Sequence, residues 1–490
     1  HIFRKGTMAK EGEDGKPPEL KKVLGPIDLV VIGVAGSVGA GVFAFSGVAA
    51  ARYAGPAVVI SYLFAGFCAL FFCAPYAEMA AMIPNSAGAC SFATAAFGRF
   101  LGWLVGWSLI AEYMFAASAV SIAWSAYFTG LFHQLQLDIP HVIATSPIDY
   151  DQDSNILLTG AWFNLPAVVL ILLCSGVVMV GAKEFSLLTA IILSVKVGTL
   201  ILFVLFGCMF VNPHNWDPFI PPEVSFGHFG WTGVLRASSL TTFAFIGFDA
   251  IATAAKESLD PVKDMPTAMF ATIGICIVLY SSVSLVLTGL VTYTALAEPD
   301  PLIIAATAAG PGFSWIIPFI QVAVVVGLPS VVVVSLFAMS RVLSVMAEDG
   351  LVPSFFSTLH PSTRTPVAGT AVCAVAAAAL SALCPVEIIA ELASIGTLFA
   401  IITVCAAVIW LRQSQPERLR PFAVPTIAVP VLGILLALVQ VCFMPWITWA
   451  RFVCWMIAGA AVYWGRSACA GAEGEAAAAG YEALPDAPPP

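Results

Sequence analysis

Charge is what this sequence has least of. Only 10% of its 490 residues are charged, whereas 60% are hydrophobic and the mean hydropathy is +0.95; soluble domains carry roughly 25% charged residues. A soluble globular enzyme could not cover that much apolar surface, which argues against that class. Cysteine chemistry is absent too. The twelve cysteines lie almost all inside apolar runs, with no C-x-x-C pair. A disulfide framework is therefore not expected, and these thiols read as small apolar side chains. The six histidines fall in loops or the tail, and none has the i, i+4 spacing of a helical metal site. No metal is expected, and no Ser/His/Asp constellation points to a membrane enzyme. No signal-peptide core precedes the first apolar run, since the lead-in through Leu24 is polar and lysine-rich. The chain begins at His1; Met8 is the expected start, with residues 1–7 an upstream extension.

What is abundant is apolar sequence in long runs. A spanning helix needs about 20 such residues. Twelve runs qualify, near 27–50, 56–80, 100–131, 165–181, 185–211, 236–257, 267–293, 314–346, 367–384, 387–411, 425–444 and 450–466. The expectation is an all-α integral membrane protein of about twelve transmembrane helices with both termini on one side. The Lys/Arg bias orients it. With the termini cytoplasmic, sixteen of the twenty basic residues fall on the inner side, three (Arg52, Arg236, Arg451) on the outer, and Lys196 lies within a span. The outer loops are acidic, with Asp138, Asp149, Asp151 and Asp153 in one, Asp217 and Glu223 in the next, then Glu298 and Asp300. They read mainly as solvated surface, with a weak pull on cations as the alternative.

Two spans look like poor helices. GVAGSVGAGVFAFSG places five glycines, at 33, 36, 39, 41 and 47, within the first run. Each disfavours a helix interior by about 1 kcal/mol relative to alanine. The sixth run, TTFAFIGFDAIATAAKESLDP from Thr241, places Gly247 and Asp249 mid-span. These two runs correspond if spans 1–5 and 6–10 are repeats, and an odd repeat inserts the second half upside down. Paired interrupted helices are the best sequence pointer to a transporter site, because non-helical backbone at membrane depth must line a cavity or be buried in protein. The freed N–H groups of one half-helix suit a carboxylate, and freed carbonyls suit an ammonium. An α-amino acid carries both. Close packing of helices through small residues is the competing reading. Gly39 and Gly41 are the positions where backbone should face a ligand, while Gly33 and Gly47 should only pack.

Charges within spans are functional candidates by default. Lys196, in LSVKVGTL of the fifth run, either carries a transported proton or permanently fills the space where a sodium-coupled relative holds an ion; a purely structural lysine is the alternative. Glu112, in SLIAEYMFAAS of the third run, needs a proton or a partner. Glu78 lies near the inner end of its run and reads as interfacial and structural. Asp249 either caps the second half-helix or touches the ligand.

These segments resemble the amino acid–polyamine–organocation superfamily of permeases, specifically its cationic amino acid transporter branch. The likeness is carried by GSVGAGVF (36–43), AGPAVVISYLFAG (54–66), PYAEMAAMIPNSAGA (75–89), GWSLIAEYMFAASAVSIAWSAY (106–127), FAFIGFDAIATAAKESLDPVKDMPTA (243–268), RVLSVMAEDGLVPSFF (341–356) and SIGTLFA (394–400). The resemblance implies a 5+5 inverted-repeat core of the LeuT type plus two further helices, working by alternating access. On that plan the chain divides into an N-terminal cytoplasmic tail (1–26), a first repeat (27–211), an outer loop with the second repeat (212–411), spans eleven and twelve (412–466) and a disordered cytoplasmic tail (467–490). It implies substrate binding by Ser37, Val38, Gly39, Ala40 and Gly41, with the backbone of Gly39–Gly41 on the carboxylate. It places the α-amino group on carbonyls around Phe243, Ala244 and Ile246, makes Phe245 an aromatic gate, and matches Lys196 to the fifth-helix lysine of proton-linked relatives.

The chain departs from this pattern in several places. Lys256 stands where relatives have an acid, FAMS precedes Arg341 where proline or glutamine is common, and there are twelve runs where the branch often has fourteen. Leu328 should lie near the side-chain pocket and offers nothing to a guanidinium, which favours small neutral amino acids. The expected function is secondary active, proton-linked transport of L-amino acids, with a proton as coupling ion. No cofactor and no nucleic-acid partner are expected beside the amino acid and the lipid bilayer of a plasma membrane or endomembrane. A polyamine or organic cation carrier is the first alternative, disfavoured because such ligands lack a carboxylate and would need more pocket acids than Glu112. An amino acid-sensing membrane receptor is the second.

Overall fold

Hydrocarbon offers a backbone no hydrogen-bond partners, so a chain this apolar folds into helices that satisfy their own N–H and C=O groups. The computed structural model describes residues 22–85, 87–134, 136–137, 139–150, 156–297 and 300–469. Residues 1–21, the tail from 470, and Asp138, Asp151, Asp153 and Glu298 of the acidic loops lie outside the described residues.

The first apolar run is divided into α1 (Pro26–Ser37), α2 (Ala40–Phe43) and α3 (Phe45–Ala49), and after a turn at Gly55 (φ +62°) the chain enters α4 (Val58–Met82). Then come α5 (Ala89–Phe97) and the long α6 (Arg99–Gln134). A two-stranded antiparallel hairpin, β1 (Ile148–Tyr150) with β2 (Ile156–Leu158), pairs Ile148 with Leu158 in the loop that follows. Next are α7 (Leu165–Val180) and α8 (Ala182–Gly207). The sixth run holds α9 (Gly230–Thr241), a 3₁₀ turn over Thr242–Phe245 and the short α10 (Ala250–Thr253). α11 (Pro261–Leu290), α12 (Pro301–Ala308), α13 (Ile317–Gly327) and α14 (Pro329–Glu348) follow. The chain closes with α15 (Val367–Leu383), α16 (Val386–Ser414), α17 (Ala428–Cys442) and α18 (Trp446–Cys469).

Among the described residues, eight helical stretches are long and apolar enough to cross a membrane, and four shorter apolar helices (α1, α7, α15 and α17) accompany them. Phe45–Met82 counts as one of the eight because it joins the end of the first run to the second. Helices therefore occupy all twelve runs. α5, α12 and the hairpin were not anticipated; each lies in a connection too short or too polar to register as a span.

α4 lies along α11, and α6 along α14 and α16; α1 is enclosed by α8, α10, α11 and α14. The last helix sits at the edge, with most of its apolar residues unburied. Buried charges tie the helices together. Glu78, expected to be structural, is 1% exposed and bonded by Arg412 Nε at 3.0 Å and by the Val424 N–H at 2.8 Å. Arg341 Nε meets Glu257 Oε1 at 2.9 Å, with the guanidinium 3.7 Å from the centre of the Phe337 ring. The Glu257 carbonyl in turn accepts the N–H groups of Val23 and Leu24, pinning the chain just before α1 to the end of the sixth run.

Candidate functional site

The glycine-rich run does break. Val38 is extended (φ −75°, ψ 91°) and Gly39 takes φ −147°, ψ −145°, so α1 stops at Ser37 and α2 starts at Ala40. The break removes helical partners from both sides. Two of the freed carbonyls are taken by a side chain. Lys196, on α8 and fully buried, donates to Ala35 O at 2.8 Å, to Val38 O and to Ser330 Oγ at 2.8 Å. Three ammonium donors thus meet three acceptors. On the other side, the N–H groups of Gly39, Ala40 and Gly41 have no protein acceptor among the described residues.

The second break lies against the first. Ile246 is extended (φ −61°, ψ 129°), and Gly247 has φ +131°, a conformation side chains rarely adopt. A Cβ on Gly247 would sit 2.7 Å from Ser37 N, and one on Gly41 would sit 2.5 Å from Ala244 Cα. The glycines thus let two interrupted helices touch backbone to backbone. Gly33 and Gly47 pack elsewhere, where a Cβ would come within 2.4 Å of Thr272 Oγ1 and of Leu296 O. Tyrosines brace the crossing: Tyr62 donates to Gly41 O at 2.6 Å and Tyr280 to Ala244 O at 2.9 Å.

Where the breaks cross there is a small cavity. The first break lines it with Gly36, Ser37, Gly39, Ala40 and Gly41, and the sixth run with Phe243, Ile246, Gly247 and Ala250. α6 contributes Tyr113, Ala116 and Val120, and α14 contributes Val331, Val334 and Ser335. Ser37 Oγ is buried without a partner among the described residues. No charged side chain is among the lining residues.

The expected residues are partly gathered here. Ser37, Gly39, Ala40, Gly41, Phe243 and Ile246 line the cavity. Val38 does not; it meets Lys196 through its carbonyl. Ala244 O is taken by Tyr280, and Phe243 O accepts the Ile246 N–H at 3.2 Å. Phe245, expected as a gate, packs away from the cavity on Tyr280, with ring centres 5.2 Å apart; it is Phe243 that faces the cavity, edge-on to Phe45 at 5.3 Å. Leu328 is not among the lining residues. It is fully buried at the head of α14, and the next turns, Val331 to Ser335, provide the wall instead. Gly327, just before Leu328, allows a close approach to Lys196: a Cβ there would lie 2.8 Å from Lys196 Cβ.

Tyr113, Ala116, Val120, Val331, Val334 and Ser335 were missed. Their helical spacing (i, i+3, i+7 on α6; i, i+3, i+4 on α14) marks one face of each helix, but on helices apolar all round it does not stand out.

Two further acids sit behind the cavity wall. Tyr113 donates to Asp249 Oδ2, and the Gly247 N–H donates to Asp249 Oδ1 at 3.1 Å. Asp249 therefore holds the break, and its side chain makes no capping bond to α10. Glu112 is fully buried, and neither carboxyl oxygen has a hydrogen-bond partner among the described residues.

Comparison with known proteins adds to this geometry. A family model described as amino acid permease matches residues 24–463. A branched-chain amino acid permease of Bacillus subtilis is 35% identical to the chain, over 94% of it and 97% of the relative. A methylthioribose transporter of the same organism is 36% identical, again over 94% of the chain and 97% of the relative. A vacuolar cationic amino acid transporter 4 of Arabidopsis thaliana is 33% identical, over 82% of the chain and 65% of its own length.

Proposed function

Since the chain belongs to the amino acid permease family of the amino acid–polyamine–organocation superfamily, whose members are membrane transporters rather than enzymes, we propose that it is a proton-linked secondary transporter of neutral aliphatic L-amino acids. It works by alternating access, with twelve spans of which the first ten form two inverted repeats. Both termini are cytoplasmic, and the protein resides in a plasma membrane or endomembrane. One observation carries this reading: three unbonded N–H groups, from Gly39, Ala40 and Gly41, at a cavity lined by no charged side chain. Those groups receive the substrate carboxylate, assisted by the free Ser37 hydroxyl. The α-amino group sits against Ile246 and the second lone pair of the Phe243 carbonyl. The side chain lies against Ala116, Val120, Val331 and Val334, which offer a guanidinium or ammonium no counter-charge. Lys196 and Glu112 are the residues that exchange the coupling proton; Lys196 is bonded to the break itself, so loss of its proton loosens the break it holds.

A second reading is favoured by the methylthioribose transporter among the relatives: a neutral solute with no carboxylate. Purified protein in liposomes separates the two. Labelled alanine, leucine, arginine, putrescine and methylthioribose are offered with and without an inward proton gradient. Saturable leucine or alanine uptake, raised by the gradient, is expected. Uptake of methylthioribose with none of the amino acids establishes the second reading, and arginine preferred over alanine overturns the neutral assignment.

A further inference from the structure

Glu112 and Asp249 differ in their surroundings although they are neighbours. Asp249 is an acceptor in a built site, with one oxygen taking the Tyr113 hydroxyl proton and the other the Gly247 N–H. Glu112 has no donor at either oxygen. On the facing helix, the Thr397 hydroxyl is a donor near Glu112, but it is bonded to Ala393 O at 3.0 Å. The titratable groups around the pair are Tyr113 on α6, Tyr76 on α4 and Cys405 on α16, all neutral or acidic. Cations on the helices packed against α6 are engaged elsewhere: Arg341 of α14 with Glu257, and Arg412 of α16 with Glu78. A buried carboxylate with neither donor nor counter-ion is untenable, whereas one supplied with donors can stay ionised. Two acids in such unlike settings divide into a proton holder and an anion.

We propose that Glu112 and Asp249 form a one-proton pair in which Glu112 holds the proton, Asp249 is the anion, and Tyr113 is the door between the pair and the cavity. Tyr113 is the connecting element because it lines the cavity and bonds Asp249 at once. Asp249 stands at the second break and holds Gly247, which touches the first break. When a rearrangement of the sixth run takes Asp249 away from its two donors, the anion loses its stabilisation. The Tyr113 hydroxyl released from Asp249 then serves Glu112 as donor, and the proton passes from Glu112 to Asp249, one O–H bond breaking as another forms. The pair thereby senses the state of the second break, separately from Lys196, which is bonded to the first. The functional half of this inference rests on the transport reading; the protonation half does not.

Infrared difference spectra of purified protein, wild type against Glu112→Gln, test the protonation directly. A protonated-carboxyl C=O band that is sensitive to deuterium exchange and missing from the variant is expected. If the variant instead loses only a carboxylate band, Glu112 is ionised and the proposal is overturned. Tyr113→Phe removes one donor from Asp249 and should shift that same band; a band that stays in place overturns the link between the carboxyls and covers the case in which Glu112→Gln fails to fold. In liposomes, the ratio of gradient-driven accumulation to equal-pH counterflow should fall at least tenfold in Glu112→Gln. An unchanged ratio overturns the coupling role. Absence of counterflow in the wild type for every amino acid refutes the transport reading and leaves the infrared result standing.

Discussion

Gly41→Ala is the smallest change that should disable the cavity. The added Cβ would lie 2.5 Å from both Cα and Cβ of Ala244 and 3.1 Å from its N. These are backbone or backbone-fixed atoms, so no side chain can swing aside and the two breaks must separate. Tyr62 on Gly41 O and Tyr280 on Ala244 O resist that separation, since each holds one of the two touching segments. Overpacking of this kind costs roughly 1–3 kcal/mol. If it falls only on the arrangement in which the breaks touch, affinity for a ligand bound there drops by about 5- to 150-fold. Gly274 is the control: it lies in α11, where a Cβ meets nothing within 4 Å, so Gly274→Ala should leave binding unaltered and stabilise its helix by up to about 1 kcal/mol. The assay is equilibrium binding of labelled leucine to purified protein, with thermal unfolding of the same samples. Wild-type affinity and melting temperature in Gly41→Ala would refute the claim that the breaks meet there.

Lys196→Met leaves the Ala35 and Val38 carbonyls without their ammonium donor; at about 1–3 kcal/mol for each buried unsatisfied group, the variant should melt earlier, and its uptake should no longer respond to a proton gradient. Glu257→Ala strands Arg341, which is 1% exposed, and should destabilise by roughly 3–5 kcal/mol; the double variant Glu257→Ala/Arg341→Met should recover most of this in thermal unfolding. Val331→Ala enlarges the apolar wall and should shift the leucine-to-alanine uptake ratio by roughly tenfold, the scale set by small changes in a hydrophobic pocket.

The location of the candidate site was legible in the sequence through its misfits. Five glycines in one apolar run and Gly247 with Asp249 in another contradict ordinary helix formation, and such contradictions mark backbone with another task. Lys196 and Glu112 stood out for the same reason, as charges where hydrocarbon should be. The cavity wall was illegible. Val120, Val331 and Val334 differ in no visible way from the many valines that face lipid or neighbouring helices, because on an all-apolar helix the periodicity that separates inside from outside disappears.

Composition and run length determined by themselves that this chain is helical and spans a membrane, since apolar backbone in hydrocarbon has hardly another option. The glycines determined that two helices would break. Only the tertiary structure decided what the breaks meet: that Gly41 lies on Ala244 and Gly247 on Ser37, that Lys196 reaches carbonyls 158 and 161 residues away, and that Phe243 rather than Phe245 faces the cavity. Those choices depend on how far each broken segment turns before its next hydrogen bond forms, and that is set by partners distant in the chain.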